Sequence, residues 1–195
     1  MTRGKPLSFD RSKVLEKAME LFWANGYEAT GITELLECMG IQRQSFYNSF
    51  ESKQQVFAEA LDLYGSTMLM KVRELLAGSG NPIKKIERVF KFWEGMMKDH
   101  AGCGCLVANS VAEFGTSEKM ISEVLRSNLG RLEETLYGAF KEAVDGGSLP
   151  AERDPRALAR TMVAFAQGMA LLSKTGMSQQ AQRDVMKTTQ RALLS

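Results

Sequence analysis

Apolar residues recur at helical spacing along almost the whole chain, and this pattern limits the fold more than any other feature. Leu15, Ala18 and Phe22, for example, stand at i, i+3 and i+7 and so share one face of a helix. We find no convincing run in which apolar and polar residues alternate, as they do in half-buried strands. The sequence therefore predicts an all-α fold of about nine helices.

Glycines, prolines and capping residues mark where these helices begin and end. Asp, Asn and Ser cap a first turn, proline suits the first helical position, and glycine ends helices in the left-handed conformation. We expect Thr116 or Ser117 to cap the long helix that follows Phe114. The other expected boundary residues are Asp10, Gly26, Gly40, Asn81, Pro82, Gly146, Gly147, Asp154, Pro155 and Ser178.

Length and composition restrict the class of protein only loosely. The 195 residues suit one large domain or a small domain joined to a larger one, and the net charge of +2 does not by itself indicate nucleic acid. Residues 1–8 lack the apolar run of a signal peptide, and residues 161–172 are too short an apolar stretch to span a bilayer. Three cysteines without a disulfide framework favour a reducing compartment. We therefore expect a cytoplasmic protein with no membrane partner.

A break at Met39-Gly40-Ile41 separates two short helical segments, the second of which has a polar face. Two helices joined by a tight turn form a helix-turn-helix, whose second helix enters the major groove of DNA. Arg43 can bond guanine bidentately, and Gln44 can bond adenine in the same way. The other polar side chains placed to reach bases or phosphates are Ser45, Tyr47, Asn48 and Lys53.

The residues alone also allow a small three-helix subdomain with an ordinary polar surface. Local charge does not decide between the two interpretations, because residues 1–53 hold seven Lys or Arg and seven Asp or Glu. The distribution is more informative than the sum, since no acidic residue lies between Cys38 and Phe50 to repel phosphate.

Several motifs occur together in the first third of the chain. They are ELFWANGYEAT at Glu20–Thr30, the turn Gly40-Ile41, the aromatic set Phe46, Tyr47 and Phe50, and Ser52-Lys53 followed by Phe57. In this combination the segment resembles the N-terminal DNA-binding domain of the TetR/AcrR family of bacterial transcriptional regulators. The resemblance implies a helix-turn-helix DNA-binding domain over residues 1–53 and a helical ligand-binding and dimerisation domain over residues 54–195. It adds Thr30, Gly31, Thr33 and Gln42 to the predicted DNA contacts.

The chain departs from the family pattern at three of these positions. Family members often carry Thr or Ser where Gly31 stands, Ser where Gln42 stands and His where Asn48 stands. The fold prediction is unaffected, but the operator sequence cannot be predicted.

The segment TMVAFAQGMALL at residues 161–172 is uncharged and apolar on more than one face. Such a helix must bury two sides, either inside its own chain or between its own core and a second chain. Small residues that would permit close approach are Ala159, Ala166, Gly168 and Ala170. The resemblance favours the second possibility, a homodimer formed through the last two helices.

Methionine and aromatic side chains give adaptable apolar walls to ligand pockets, although such residues also form ordinary core. The candidates for an inducer pocket are Trp93, Met96, Met97, Phe114, Met120 and Phe165. Cys103 and Cys105 precede a predicted helix, and a helix N-terminus or a cation that lowers a thiol pKa would make them reactive. Buried structural cysteines are the alternative, and a zinc site is not expected from this spacing.

An enzyme is not expected, because His100 is the only histidine and no Ser-His-Asp or paired-carboxylate arrangement can be argued. We predict no metal and no cofactor. The predicted function is a ligand-responsive repressor that binds a palindromic double-stranded DNA operator as a homodimer. A small apolar or thiol-reactive inducer would release it. The alternative is a helical dimeric adaptor that does not bind DNA.

Overall fold

The computed structural model describes residues 9–100 and 102–195, and these residues form nine helices and no strand. The all-α prediction is therefore confirmed. The helices are α1 (Arg11–Asn25), α2 (Ile32–Met39), α3 (Arg43–Ser49), α4 (Lys53–Ala77), α5 (Pro82–Asp99), α6 (Leu106–Phe114), α7 (Lys119–Asp145), α8 (Pro155–Ser173) and α9 (Gln179–Leu194).

Local capping chemistry explains most of these boundaries. The Asp10 carboxylate accepts hydrogen bonds from the backbone N–H groups of Ser12 and Lys13, at 3.1 and 3.4 Å, and so begins α1. Gly40 ends α2 with a φ of 69°, a left-handed conformation that costs glycine no steric strain. The predicted caps of α5, α8 and α9 also accept hydrogen bonds from backbone N–H groups of the first turn. They are Asn81, Asp154 and Ser178.

The predicted cap of α7 is wrong. This helix begins at Lys119 with Glu118 in the N-cap position, and neither Thr116 nor Ser117 caps it. The Ser117 hydroxyl instead donates to the Phe114 carbonyl at 2.7 Å, which closes the turn after α6. The hydroxyl that the sequence offered as a helix start is therefore used at the end of the preceding helix.

Two hydrophobic cores lie one after the other, and α4 takes part in both. The first joins α1, α2, α3 and α6 to the beginnings of α4 and α7, around the fully buried Phe22, Phe46 and Phe57. The second joins α5, α8 and α9 to the later parts of α4 and α7, around the fully buried Phe90 and Phe140. Because α4 is 25 residues long, one rigid helix connects the helix-turn-helix to the body.

Helix α8 packs beside α7 and buries only one of its sides within the chain. Met162 and Met169 are buried against the second core, whereas Leu172 on the other side remains 49% exposed. Ala164 and Gly168 lie on this exposed side as well. Of the helices in the part of the chain that the structure describes, none combines the length and the apolar character needed to cross a membrane.

Candidate DNA interface and ligand cavity

Aromatic side chains on the buried side of the helix-turn-helix pack it against the first core. Phe46 and Phe50 of the α3 segment are buried in the first core, with ring centroids 5.6 Å apart. The Arg11 guanidinium lies 4.5 Å from the centre of the Phe50 ring and forms two hydrogen bonds with the Glu59 carboxylate, at 2.8 and 2.7 Å. These contacts tie the end of α3 to α1 and α4, which fixes the direction in which α3 projects. From the sequence, Arg11 is one of several basic residues near the N-terminus that could flank a phosphate backbone, and its pairing with Glu59 was not predicted.

The opposite face of α3 is polar and open to solvent. Arg43, Gln44 and Asn48 are exposed, and Tyr47 is exposed to 50% although a large aromatic ring would ordinarily be buried. The Gln44 amide donates to the Asn48 side-chain oxygen at 3.2 Å, so these two side chains are aligned along one helix face. Ser45 is half-buried at the edge of this surface.

The preceding turn continues the same surface. Thr33, Gln42 and Arg43 line one shallow groove, and Gly31 is exposed at the start of α2. Neither Gly31 nor Gln42 caps its helix with a side chain, so N–H groups at the starts of α2 and α3 are left for another partner. Backbone N–H groups at helix N-termini are favourable positions for phosphate oxygens.

Two predicted DNA contacts do not lie on this surface. Thr30 is fully buried, and its hydroxyl donates to the Gly26 carbonyl at 2.7 Å, so we remove it from the predicted set. Lys53 is half-buried, and its ammonium group lies 4.0 Å from the centre of the Tyr27 ring. Its charge is therefore held beside α1 and does not extend along the face of α3.

A cavity of about 110 Å³ lies in the body of the protein, between α4, α5, α7 and α8. Five predicted pocket residues line it, namely Trp93, Met96, Met97, Cys105 and Phe165. The other lining residues are Tyr64, Gly65, Met68, Leu69, Val72, Gly104, Val107, Asn128, Leu129, Leu132, Ala166, Gln167, Met169, Ala170 and Met186.

Three predicted pocket residues lie elsewhere. Phe114 packs in the first core, with its ring centroid 5.3 Å from Tyr27 and 5.5 Å from Phe57. Met120 is 44% exposed near the start of α7. Cys103 is half-buried in the loop before α6 but does not line the cavity.

Polar side chains that the sequence analysis did not select also reach the cavity wall. They belong to Tyr64, Asn128 and Gln167, and no charged side chain is found among the described residues that line the cavity. Asn128 is buried between α4 and α7, where its amide N–H donates to the Leu61 carbonyl at 3.4 Å and its oxygen accepts from Arg131. The signal for Gln167 was present in the sequence, because it is the one amide in the uncharged stretch 161–172.

The cysteine loop, residues 102–105, occupies the junction between the two cores. Trp23 of α1 donates its indole N–H to the Gly104 carbonyl at 2.9 Å, and its rings lie 5.1 Å from Tyr64 and 4.5 Å from His100, centroid to centroid. Gly104 has a φ of 67°, and a Cβ added there would lie 3.0 Å from the Ala170 carbonyl. The loop is thus in close contact with α1 on one side and α8 on the other.

Of the two cysteines in this loop, Cys105 lines the cavity and Cys103 does not. Cys105 precedes α6 in the N-cap position, but burial raises the pKa of its thiol, and the opposing N–H groups of Ala108 and Val107 do not compensate. The sequence left two alternatives open for Cys105, a thiol activated by the helix N-terminus and a buried structural cysteine, and the raised pKa favours the second. Among the described residues, no cluster of His, Cys, Asp and Glu could hold a metal ion.

Comparison with known proteins gives matches over both parts of the chain. Residues 14–60 match the family model of bacterial regulatory proteins of the tetR family, and residues 82–189 match that of the tetracyclin repressor-like C-terminal domain. The chain is 28% identical over 195 residues to the transcriptional repressor ComR of Escherichia coli, covering 97% of this chain and 91% of ComR. It is 30% identical over 159 residues to YezE, an uncharacterized HTH-type transcriptional regulator of Bacillus subtilis, covering 80% of this chain and 82% of YezE.

A solved structure is similar over almost the full length. It is that of CifR, a TetR family transcriptional regulator with substituted cysteines, in complex with a 26-base-pair double-stranded operator DNA. The TM-score is 0.83 at 27% sequence identity, and the match covers 96% of this chain and 99% of that one.

Proposed function

Because the chain belongs to the TetR family of bacterial regulatory proteins, and is therefore a DNA-binding transcriptional regulator and not an enzyme, we propose that it is a ligand-controlled repressor. It binds a palindromic operator as a homodimer and leaves the DNA when a small inducer enters the cavity of the body. The observation that carries this proposal is the exposed polar face of α3, which projects from a buried aromatic base.

The face of α3 supports direct reading of bases. A side chain can read a base edge only if it projects from the helix into the major groove, and Arg43, Gln44, Tyr47 and Asn48 are all exposed. We propose that these four, with Ser45 at the edge, contact the operator. Gly31, Thr33 and Gln42 extend the contact to the phosphate backbone, and Lys53 has at most a supporting role because its charge is held over Tyr27.

The exposed side of α8 supports the homodimer. Ala164, Gly168 and Leu172 recur there at four-residue spacing, so they form one stripe, and Val185 of α9 adds a further exposed apolar side chain. Small residues let two helices approach closely, and the two-fold symmetry of such a dimer matches two half-sites of a palindrome. Of the small residues proposed from sequence, only Gly168 lies on this side. Ala159 is buried, and Ala166 and Ala170 face the cavity.

Helix α6 supplies a physical connection between the cavity and the DNA-binding helices. At its beginning Cys105 and Val107 line the cavity, and at its end Phe114 packs against Tyr27, just after α1. The bond between Trp23 and Gly104 gives a second connection to α1. A ligand that changes the cavity wall therefore shifts the populations of two arrangements of α1 and α3, by its difference in affinity for them.

Binding to DNA selected from a random pool tests the first part of the proposal. In a mobility-shift assay Arg43→Ala is expected to weaken binding by about 1–3 kcal/mol, and affinity should fall steeply with salt. Lys91→Ala is the matched control, because Lys91 is exposed on α5 and loses the same charge. Equal effects of the two substitutions would contradict the role of Arg43, and absence of any salt-dependent binding would favour the adaptor without DNA binding.

The inducer is either a ligand that binds without reaction or a compound that modifies a thiol. Burial raises the pKa of the Cys105 thiol, which favours a ligand that binds without reaction. Cys105 nevertheless lies on the cavity wall, where a thiol-modifying compound could reach it. We expect the variant Cys103→Ser, Cys105→Ser to stay on the operator in the presence of a quinone or maleimide that releases the wild type. Release of both proteins at the same concentration would exclude sensing through these two thiols. Action on bacterial DNA would place the protein in the cytoplasm.

A further inference from the structure

One buried polar atom on the cavity wall has no partner. The side-chain oxygen of Gln167 is buried and accepts no hydrogen bond from any described residue, although Gln167 lines the cavity. Asn128, the other amide of the wall, is by contrast bonded to Leu61 and Arg131. A buried acceptor without a donor is unfavourable, so the site gains stability from a ligand that brings one.

The rest of the wall restricts the size and charge of that ligand. The cavity of about 110 Å³ is somewhat smaller than the roughly 150 Å³ that accommodates a benzene molecule in an engineered protein core, so it suits at most one ring. Since no charged side chain of the described lining is available as a counter-ion, an ionised ligand would lose its hydration without compensation. Trp93, Phe165 and the methionines provide favourable contacts to an aromatic ring.

We propose that the cavity binds an uncharged compound of single-ring size that carries a hydroxyl donor, as a phenol does, and that Gln167 accepts this hydrogen bond. The inference rests on the proposed function only in assigning the cavity to the inducer. The recognition itself depends on the Gln167 oxygen and on the absence of charge in the wall. A donor group then distinguishes the inducer from hydrocarbons of the same shape.

Phenol and toluene form the probe pair, because they differ mainly in a hydroxyl against a methyl group. Binding of each to the DNA-free protein is measured by calorimetry. A cavity without an acceptor prefers toluene, since the phenol hydroxyl must give up its bond to water. The wild type is expected to prefer phenol, and Gln167→Met, which keeps the side-chain length, should shift the phenol-to-toluene affinity ratio toward toluene by about 2–12-fold. Gln167→Ala serves as a second variant if Gln167→Met fails to fold.

Met96→Leu is the matched control, since it changes the same wall without removing a polar atom. It should alter both affinities together and leave their ratio unchanged. The proposal is overturned if the wild type binds neither probe, or if Gln167→Met leaves the ratio unchanged. It is also overturned if Gln167→Met changes only the oligomeric state, because the oxygen would then pair across a protomer interface. Preference for phenol without release of DNA would support the ligand class and contradict induction through this cavity.

Discussion

Replacing Gly65 with alanine tests the packing between α4 and α7 beside the cavity. An added Cβ at Gly65 would lie 2.3 Å from the Asn128 side-chain oxygen, 2.4 Å from its carbon and 2.7 Å from its nitrogen. The whole Asn128 amide must therefore move, and it is buried with hydrogen bonds to Leu61 and Arg131. The backbone of Gly65 has an ordinary helical conformation, so glycine is not required by its φ angle. It is required by the close approach of the Asn128 side chain.

The magnitude follows from opposing contributions. Gly→Ala inside a helix ordinarily raises the free energy of unfolding by about 0.8–1.0 kcal/mol. Overpacking a buried contact costs about 1–3 kcal/mol, and each disrupted Asn128 hydrogen bond about 0.5–1.5 kcal/mol. The unfavourable contributions prevail, so we expect Gly65→Ala to lower the free energy of unfolding by about 1–3 kcal/mol. For a chain of this length each kcal/mol lowers Tm by about 2–4 °C.

The assay is urea unfolding followed by circular dichroism, at one fixed protein concentration because a dimer's stability depends on it. Gly138→Ala is the matched control, since Gly138 lies in the interior of α7 and, among the described residues, no atom outside the adjacent backbone of α7 comes within 4 Å of an added Cβ. It should be stabilising by up to about 1 kcal/mol. The reasoning would be refuted if both variants were stabilised alike. Adding Asn128→Ala to Gly65→Ala should recover part of the loss, because the colliding atoms are then absent.

Four further predictions concern the cysteine loop and the proposed dimer. Trp23→Phe should lower the free energy of unfolding by about 1 kcal/mol, because the Gly104 carbonyl loses its hydrogen-bond donor. Trp93→Phe is the control, since it removes no such bond. Equal losses of the two variants in urea unfolding would contradict the stabilising role of the Trp23 hydrogen bond. Because burial raises the pKa of Cys105, the folded thiol should react with iodoacetamide more slowly than the unfolded chain at pH 8. Its contribution to stability should be present below the ordinary thiol pKa and lost as the pH rises through the folded pKa, so Cys105→Ser should flatten the alkaline fall in stability. Gly168→Arg should give monomers in light scattering, and unchanged dimers would exclude the exposed side of α8 as the interface.

Helix boundaries could be predicted from sequence where the determining chemistry is local. Asp10 accepts N–H groups two and three residues away, and Gly40 adopts its conformation without help from distant residues. The start of α7 was predicted wrongly because the chain is still in a turn at Ser117, whose hydroxyl donates to the Phe114 carbonyl, and the helix begins only at Lys119. Where such a turn ends and the next helix begins is decided by the folded geometry and leaves no mark in the spacing.

The candidate sites show the same division. Helical spacing identified the exposed face of α3, but it did not reveal that Thr30 bonds Gly26 inside the first core. It also identified Phe114 and Trp93 alike as inward-facing aromatics. Whether an inward side chain meets tight core or a cavity depends on how several helices pack together, so the sequence could not separate the two.

Operator binding with one half-site scrambled tests the central claim most directly, namely that two copies of α3 read one DNA duplex together. The intact selected sequence and the scrambled one are compared by fluorescence anisotropy at the same salt concentration. A single mismatched base pair costs about 1–3 kcal/mol, so loss of a whole half-site should weaken binding by well over tenfold. Equal affinity for the two duplexes would contradict a paired arrangement of the recognition helices.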